Sequence, residues 1–165
     1  MAAPQLEKLG NHGTSDFDCG TPVLNDWLHK YALTNQRAGM TTTYVSVDGT
    51  RIQGYVGISS GAIMREAAPV RLAKGTPNLP IPLMIIGRLA VDLHDQNTRL
   101  GKRLLGFALL KALEVSEIMA IRAVHVYAKD EEARAFYKHV AEFEDSPVDR
   151  NSLFLLMKDL RTAFA

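Results

Sequence analysis

Residues 81–92, IPLMIIGRLAVD, run almost without polar interruption, then break into a polar turn, LHDQNTRLG, that opens a long apolar-striped segment. This junction constrains the fold more than any other stretch. An unbroken apolar run of strand length is the profile of a strand buried on both faces. After the turn, Leu100, Leu104, Leu105, Ala108, Leu109, Ala112 and Leu113 recur at helical spacing, while Lys102, Arg103, Lys111 and Glu114 turn away. A strand that delivers a polar loop to a helix N-terminus aims unbonded backbone N–H groups and the positive end of the helix dipole at one point. Phosphate binds at such points, although Gly101 is the loop's only glycine and many turns of this kind bind nothing.

The other elements can be read around this junction. Thr21-Pro22 is a helix start, and Leu24, Trp27, Leu28 and Tyr31 follow at helical spacing, predicting a helix from about 22 to 35. Residues 42–47 are rich in β-branched side chains, Asp48-Gly49 is a hairpin turn, and residues 51–59 resume extended character. Residues 66–80 hold three prolines and Gly75 and read as a long mobile loop. Residues 121–128 predict a strand, Asp130 caps a short helix carrying Ala133, Phe136 and Tyr137, and residues 152–158 offer a last strand. The order predicts an α+β (α/β) domain around a mixed sheet.

The 165 residues, 47% hydrophobic and 22% charged, suffice for one domain with its own core, and the expectation is a single domain over 1–165. A lone cysteine, Cys19, excludes an intramolecular disulfide, no Cys/His spacing resembles a metal site, and no segment has signal-peptide or membrane-span character. A cytoplasmic protein without metal or membrane partner is expected. The net charge is only +1, but Lys30, Arg37, Arg51, Arg65, Arg71, Lys74, Arg88, Arg99, Lys102 and Arg103 face only four acids in that span, Asp48, Glu66, Asp92 and Asp95. That imbalance fits either an ordinary solvated surface or a side that meets a polyanion.

Arg88-Leu89-Ala90-Val91-Asp92, followed by Gln96-Asn97-Thr98-Arg99-Leu100-Gly101 and an apolar helix, resembles the central signature of the GCN5-related N-acetyltransferase (GNAT) family. The segment VHVYAKDEEARAFY is similar to the family's second signature, here Asp130, Ala133, Phe136 and Tyr137. The opening FDCGTPVLNDWLHKYALTNQRAGMTTTYV and the ending FEDSPVDRNSLFLLMKDL resemble one subgroup, the acetyltransferase toxins of toxin–antitoxin pairs that act on aminoacyl-tRNA. The likeness covers residues 15–160.

The resemblance implies a GNAT fold with acetyl-CoA as cosubstrate and no metal. It implies that Leu89, Ala90 and Val91 offer backbone groups to the pantetheine arm, with the Leu89 N–H polarising the thioester carbonyl. The loop of Gln96, Asn97, Thr98, Arg99, Leu100, Gly101 and Lys102 would hold the pyrophosphate through its main-chain N–H groups, with Asp130, Ala133 and Phe136 also on the cofactor side. Tyr137 would be the acid that protonates the departing sulfur. By residue type alone, Phe136-Tyr137 would be an aromatic pair closing a core.

The sequence departs from the family in three places. Arg99 stands where the family has glycine, Asn97 where the subgroup often does, and Ala141-Glu142 replace a glycine with one residue inserted. Glu66, Asp92 and Glu142 are the carboxylates to consider as a base, though no dedicated base is evident; His125 and His139 read as packing or surface residues. An α-amino group needs less help than a lysine in losing its proton, and an aminoacyl ester less still. The expected reaction is acetylation of the α-amino group of aminoacyl-tRNA, blocking translation. Arg37, Arg65, Arg71, Lys74 and Arg88 are candidate RNA contacts. A ribbon-helix-helix antitoxin and a second copy of the chain are the expected partners. A housekeeping acetyltransferase for a small amine or protein N-terminus, and a non-catalytic relative that binds antitoxin or RNA, are the alternatives.

Overall fold

A computed structural model describes residues 5–164; residues 1–4 and 165, the ends of the domain expected over 1–165, lie outside it. Seven strands form one mixed sheet in the order β1-β2-β3-β4-β5-β7-β6. They are β1 (Leu6–Lys8), β2 (Thr42–Asp48), β3 (Arg51–Ile63), β4 (Ile81–Val91), β5 (Ala123–Tyr127), β6 (Glu144–Asp145) and β7 (Ser152–Leu156). β4 and β5 are parallel and the recorded neighbours β1-β2, β2-β3, β5-β7 and β6-β7 are antiparallel. The chain divides into two compact units, one of residues up to 59 with Gly87–Ala108, the other of Ser60–Ile86 with residues from 109 onward. Among the described residues no helix is long and apolar enough to cross a membrane.

In the first unit the predicted helix is present but interrupted. α1 (Pro22–Asp26) passes through a π-helical turn (Trp27–Tyr31) into α2 (Ala32–Arg37). The π turn carries an extra residue, which shifts the buried face by one position. Trp27, Leu28 and Ala32 go inward, and Tyr31, expected on the stripe, is 54% exposed. Trp27 stacks on Tyr55 at 5.9 Å, Phe17 meets the same ring edge-on at 5.6 Å, and the Tyr55 hydroxyl donates to the Leu24 carbonyl at 2.8 Å. Leu9, Val45, Ile52 and Ala90 complete this core. The hairpin pairs Asp48 with Arg51 around a two-residue loop whose first residue, Gly49, has φ 61°, a left-handed value that glycine adopts without strain.

The second unit corrects the mobile-loop reading of residues 66–80. A 3-10 turn (Arg65–Ala67) and a short helix α3 (Val70–Ala73) occupy that stretch, and Leu72 is fully buried with Ile81, Leu83, Ala123, Phe154 and Leu156. The prolines and glycine gave the turn chemistry correctly but hid the buried leucine. α5 (Glu131–Val140) is capped as expected, the Asp130 carboxylate accepting from the Ala133 N–H at 2.8 Å. The last strand is shorter than expected: β7 ends at Leu156, and Met157 and Lys158 begin α6 (Met157–Ala163). The edge strands β1 and β6, of three and two residues, carry no periodicity from which to read them. α4 (Leu100–Ser116) runs from one unit into the other with Leu104, Leu105, Ala108 and Ala112 fully buried, as the stripe required.

Candidate active site

In the first unit the site is built where β4 ends. The recorded pairing of β4 with β5 runs from Leu83↔Ala123 to Ile86↔Val126, so Leu89, Ala90 and Val91 lie outside that ladder. Leu89 and Val91 are half-buried and Ala90 is buried in the core. The Val91 carbonyl is engaged: it accepts from the Gln96 side-chain amide at 3.0 Å, and the same amide donates to the Cys19 carbonyl at 3.0 Å. Gln96 thus ties the opening segment to the end of β4, and its side chain serves the protein rather than a ligand.

Asp92, 2% exposed, closes the strand. Its carboxylate accepts from the N–H groups of Asp18 and His94 and meets the His94 ring at 2.8 Å. Burial alone would raise its pKa, but these hydrogen bonds hold the carboxyl below its ordinary value. A carboxylate so enclosed is a turn cap and not a base. Of the other two carboxylates considered, Glu66 and Glu142 are both exposed. Asp95 is clamped by Arg51 through two hydrogen bonds, at 2.6 and 3.1 Å, and accepts the Thr98 hydroxyl at its carbonyl.

With the side chains of Gln96 and Thr98 bonded to backbone carbonyls, the loop presents its backbone. Asn97 and Arg99 have φ 65° and 67°, the two non-glycine left-handed residues among those described, while Thr98 between them does not. Such alternation curls successive N–H groups into a concave nest that suits an anion. The Arg103 N–H donates to the Arg99 carbonyl and continues the helical pattern, so the N–H groups of Leu100, Gly101 and Lys102 belong to the unbonded first turn of α4. The exposed side chains of Arg99 and Lys102 add positive charge. This donor set fits a pyrophosphate, and a left-handed backbone is what the family's glycine supplies at position 99.

In the second unit, α5 carries Tyr137, 7% exposed, with Phe136 at 5.3 Å and Phe143 at 5.8 Å between ring centroids. Burial pushes its phenol up to about 12. No protein group among the described residues hydrogen-bonds its hydroxyl, so the phenol is a neutral, uncommitted donor at physiological pH. Ala133 and Phe136 are half-buried on the same helix, whereas the Asp130 carboxylate is taken up by its cap. Ala141, at the glycine-replacing position, is extended with φ −151° and needs no glycine.

The basic candidates divide between the units. In the first, Arg37 is exposed and Arg88 lies over the Trp27 ring at 4.3 Å. In the second, Lys74 is exposed, and Arg65 is half-buried with one guanidinium nitrogen 3.4 Å from the Ala73 carbonyl. Arg71 pairs with both Glu144 and Asp159, which hold its guanidinium firmly charged and neutralise it locally. These carboxylates lie 73 and 88 residues away in sequence, a separation that local pattern cannot bridge.

No family model matches the chain. A curated protein of Mycobacterium tuberculosis, a tRNA-acetylating toxin, is 38% identical over 147 residues, covering 89% of this chain and 87% of that protein. Among solved structures, AtaT complexed with acetyl-methionyl-tRNAfMet superposes with a TM-score of 0.89 at 25% identity, covering 98% of this chain and 99% of that one. A structure of AtaTR bound with AcCoA gives a TM-score of 0.86 at 26% identity, with 100% of both chains covered. With its sheet order, its backbone nest at the head of α4 and this likeness along most of its length, the chain belongs to the tRNA-acetylating toxins of the GCN5-related N-acetyltransferase family.

Proposed function

We propose that this chain is the toxin of a toxin–antitoxin pair and transfers acetyl from acetyl-CoA to the α-amino group of the amino acid on charged tRNA. The observation that carries the reading is the 147-residue match to a tRNA-acetylating toxin. In the reaction the amine nitrogen attacks the thioester carbonyl, the carbon–sulfur bond breaks as the amide forms, the CoA sulfur takes a proton, and the nitrogen releases one to water, so that the proton donor is restored from solvent. The Leu89 N–H serves as a donor to the thioester oxygen, the kind of preorganised stabilisation that commonly dominates acyl transfer. The nest of residues 97–102, with Arg99 and Lys102, holds the pyrophosphate. Tyr137 donates the proton to sulfur.

The enclosed state of Asp92 bears on the acceptor. A lysine amine near pKa 10.4 needs a base to attack at neutral pH, whereas an α-amino group near 8 does not, and the adjacent ester lowers an aminoacyl amine further. Once acetylated, that amine can no longer attack peptidyl-tRNA, and translation stalls. Arg37, Arg65, Lys74 and Arg88 are the cations we assign to RNA phosphate, with Arg71 held in its ion pairs. The proposal places the protein in the cytoplasm, as a homodimer neutralised by a ribbon-helix-helix antitoxin.

The test is to incubate the protein with labelled acetyl-CoA and charged tRNA, digest with nuclease, and look for N-acetylaminoacyl-adenosine by mass spectrometry. The wild type releases it. Tyr137→Phe loses about 100-fold in turnover, within the usual range for a general acid, while its acetyl-CoA affinity is unchanged. Unaltered turnover in the variant would remove Tyr137 from the mechanism.

A further inference from the structure

Arg134 is 8% exposed, on α5 one turn before Tyr137. A buried cation is costly unless it is fully paired, and this one is held on two sides. One guanidinium nitrogen forms an ion pair with Asp145 on β6, and the other donates to the Arg150 carbonyl at 2.8 Å. Lys138, from the solvent side of the same helix, already reaches Asp145 at 3.1 Å, so charge balance at Asp145 does not require an arginine to be buried. A planar fork that spans two acceptors in fixed directions does require one.

The segment this fork grips is the one that shapes the surroundings of Tyr137. Asp145 stands two residues after Phe143, whose ring packs on the Tyr137 ring. The chain between them is short and bonded: the Ala141 N–H donates to the Tyr137 carbonyl at 3.2 Å and the Phe143 N–H to the Ala141 carbonyl at 2.8 Å. With no hydrogen bond to its hydroxyl among the described residues, Tyr137 is aimed by the packing of its ring. We infer that Arg134 is a positioning residue for the reaction: by gripping Asp145 and the Arg150 carbonyl it fixes residues 143–145 against the Tyr137 ring and sets the direction of the phenol.

The inference rests on Tyr137 acting as proposed above, and a two-by-two comparison separates the two claims. Turnover on charged tRNA is measured for wild type, Arg134→Gln, Tyr137→Phe and the double variant, at a temperature where circular dichroism shows all four folded. Arg134→Gln lowers kcat about tenfold, with KM for acetyl-CoA within twofold of wild type. In the Tyr137→Phe background the same change costs nothing further, because the group it positions is gone. Arg134→Lys, which reaches one acceptor and not both, recovers only part of the loss. Equal losses in both backgrounds, or a loss confined to KM, overturn the inference; full turnover by Tyr137→Phe alone overturns the catalytic assignment instead. If Arg134→Gln does not fold, Asp145→Asn removes the grip from its half-exposed side, and the same non-additivity is required of it.

Discussion

Arg99 shows how a single residue can depart from a family and keep its geometry. Its left-handed φ of 67° is what a glycine at that position would adopt freely. The chain therefore carries backbone strain at a point where it also gains a charge. Arg99→Gly, measured without acetyl-CoA, is expected to stabilise the fold by about 0.5–1 kcal/mol, the left-handed cost of a side chain less the chain entropy that glycine adds to the unfolded state, or roughly 1–4 °C in thermal midpoint for a chain of this size. A lower midpoint would show that the loop is not strained. Asn97, whose side chain tolerates the left-handed region, should gain less from the same change. That a glycine-like backbone was needed here was legible in the sequence, because the motif around it survives. The side-chain roles were less so: the Gln96 amide bonds carbonyls at Cys19 and Val91, and the first of these is 77 residues distant, beyond any local pattern.

At the scale of elements, β3, β4 and α4 meet within the first unit at Gly54. A Cβ there would lie 2.9 Å from Leu104 Cδ1 and 3.0 Å from the Ala90 carbonyl, next to the backbone we assign to the thioester. Gly54→Ala is expected to cost about 1–3 kcal/mol, read as a lower urea midpoint; an unchanged midpoint would mean that α4 and β4 give way freely. In the second unit, ion pairs hold the carboxyls of Asp145 and Asp159 below their ordinary value of 3.8, Asp145 through Arg134 and Lys138, Asp159 through Arg71. Carboxyls depressed in the folded state contribute stability above their unfolded pKa and lose it as pH falls through the folded one. The urea midpoint should hold from pH 7 to about 5 and fall below about 4, and Asp145→Asn should flatten that fall. An acid limb of unchanged slope in the variant would deny Asp145 its part. Elements with strong periodicity, β4 and α4, were readable to within a residue or two, whereas the π turn that exposes Tyr31 and the switch from β7 to α6 at Met157 are decided by packing.

For the whole molecule, the order of its helices and strands was enough to anticipate an α/β or α+β fold around a mixed sheet, and the resemblance to the acetyltransferase signatures implied the GNAT fold. The seven-stranded order was not legible, since β1 and β6 are too short to carry a pattern and are defined by their neighbours. Nor was the fate of the basic excess. Counting charges put Arg71 with Lys74, but Glu144 and Asp159 neutralise the first and leave the second exposed. The central claim is that the acceptor is a free α-amino group on charged tRNA, and it is tested most directly by offering labelled acetyl-CoA with three forms of one elongator tRNA: aminoacylated, deacylated, and aminoacylated with its amine blocked by formylation. The account predicts label on the first alone; label on the deacylated or blocked form, or none on any form while the protein binds acetyl-CoA, would contradict it.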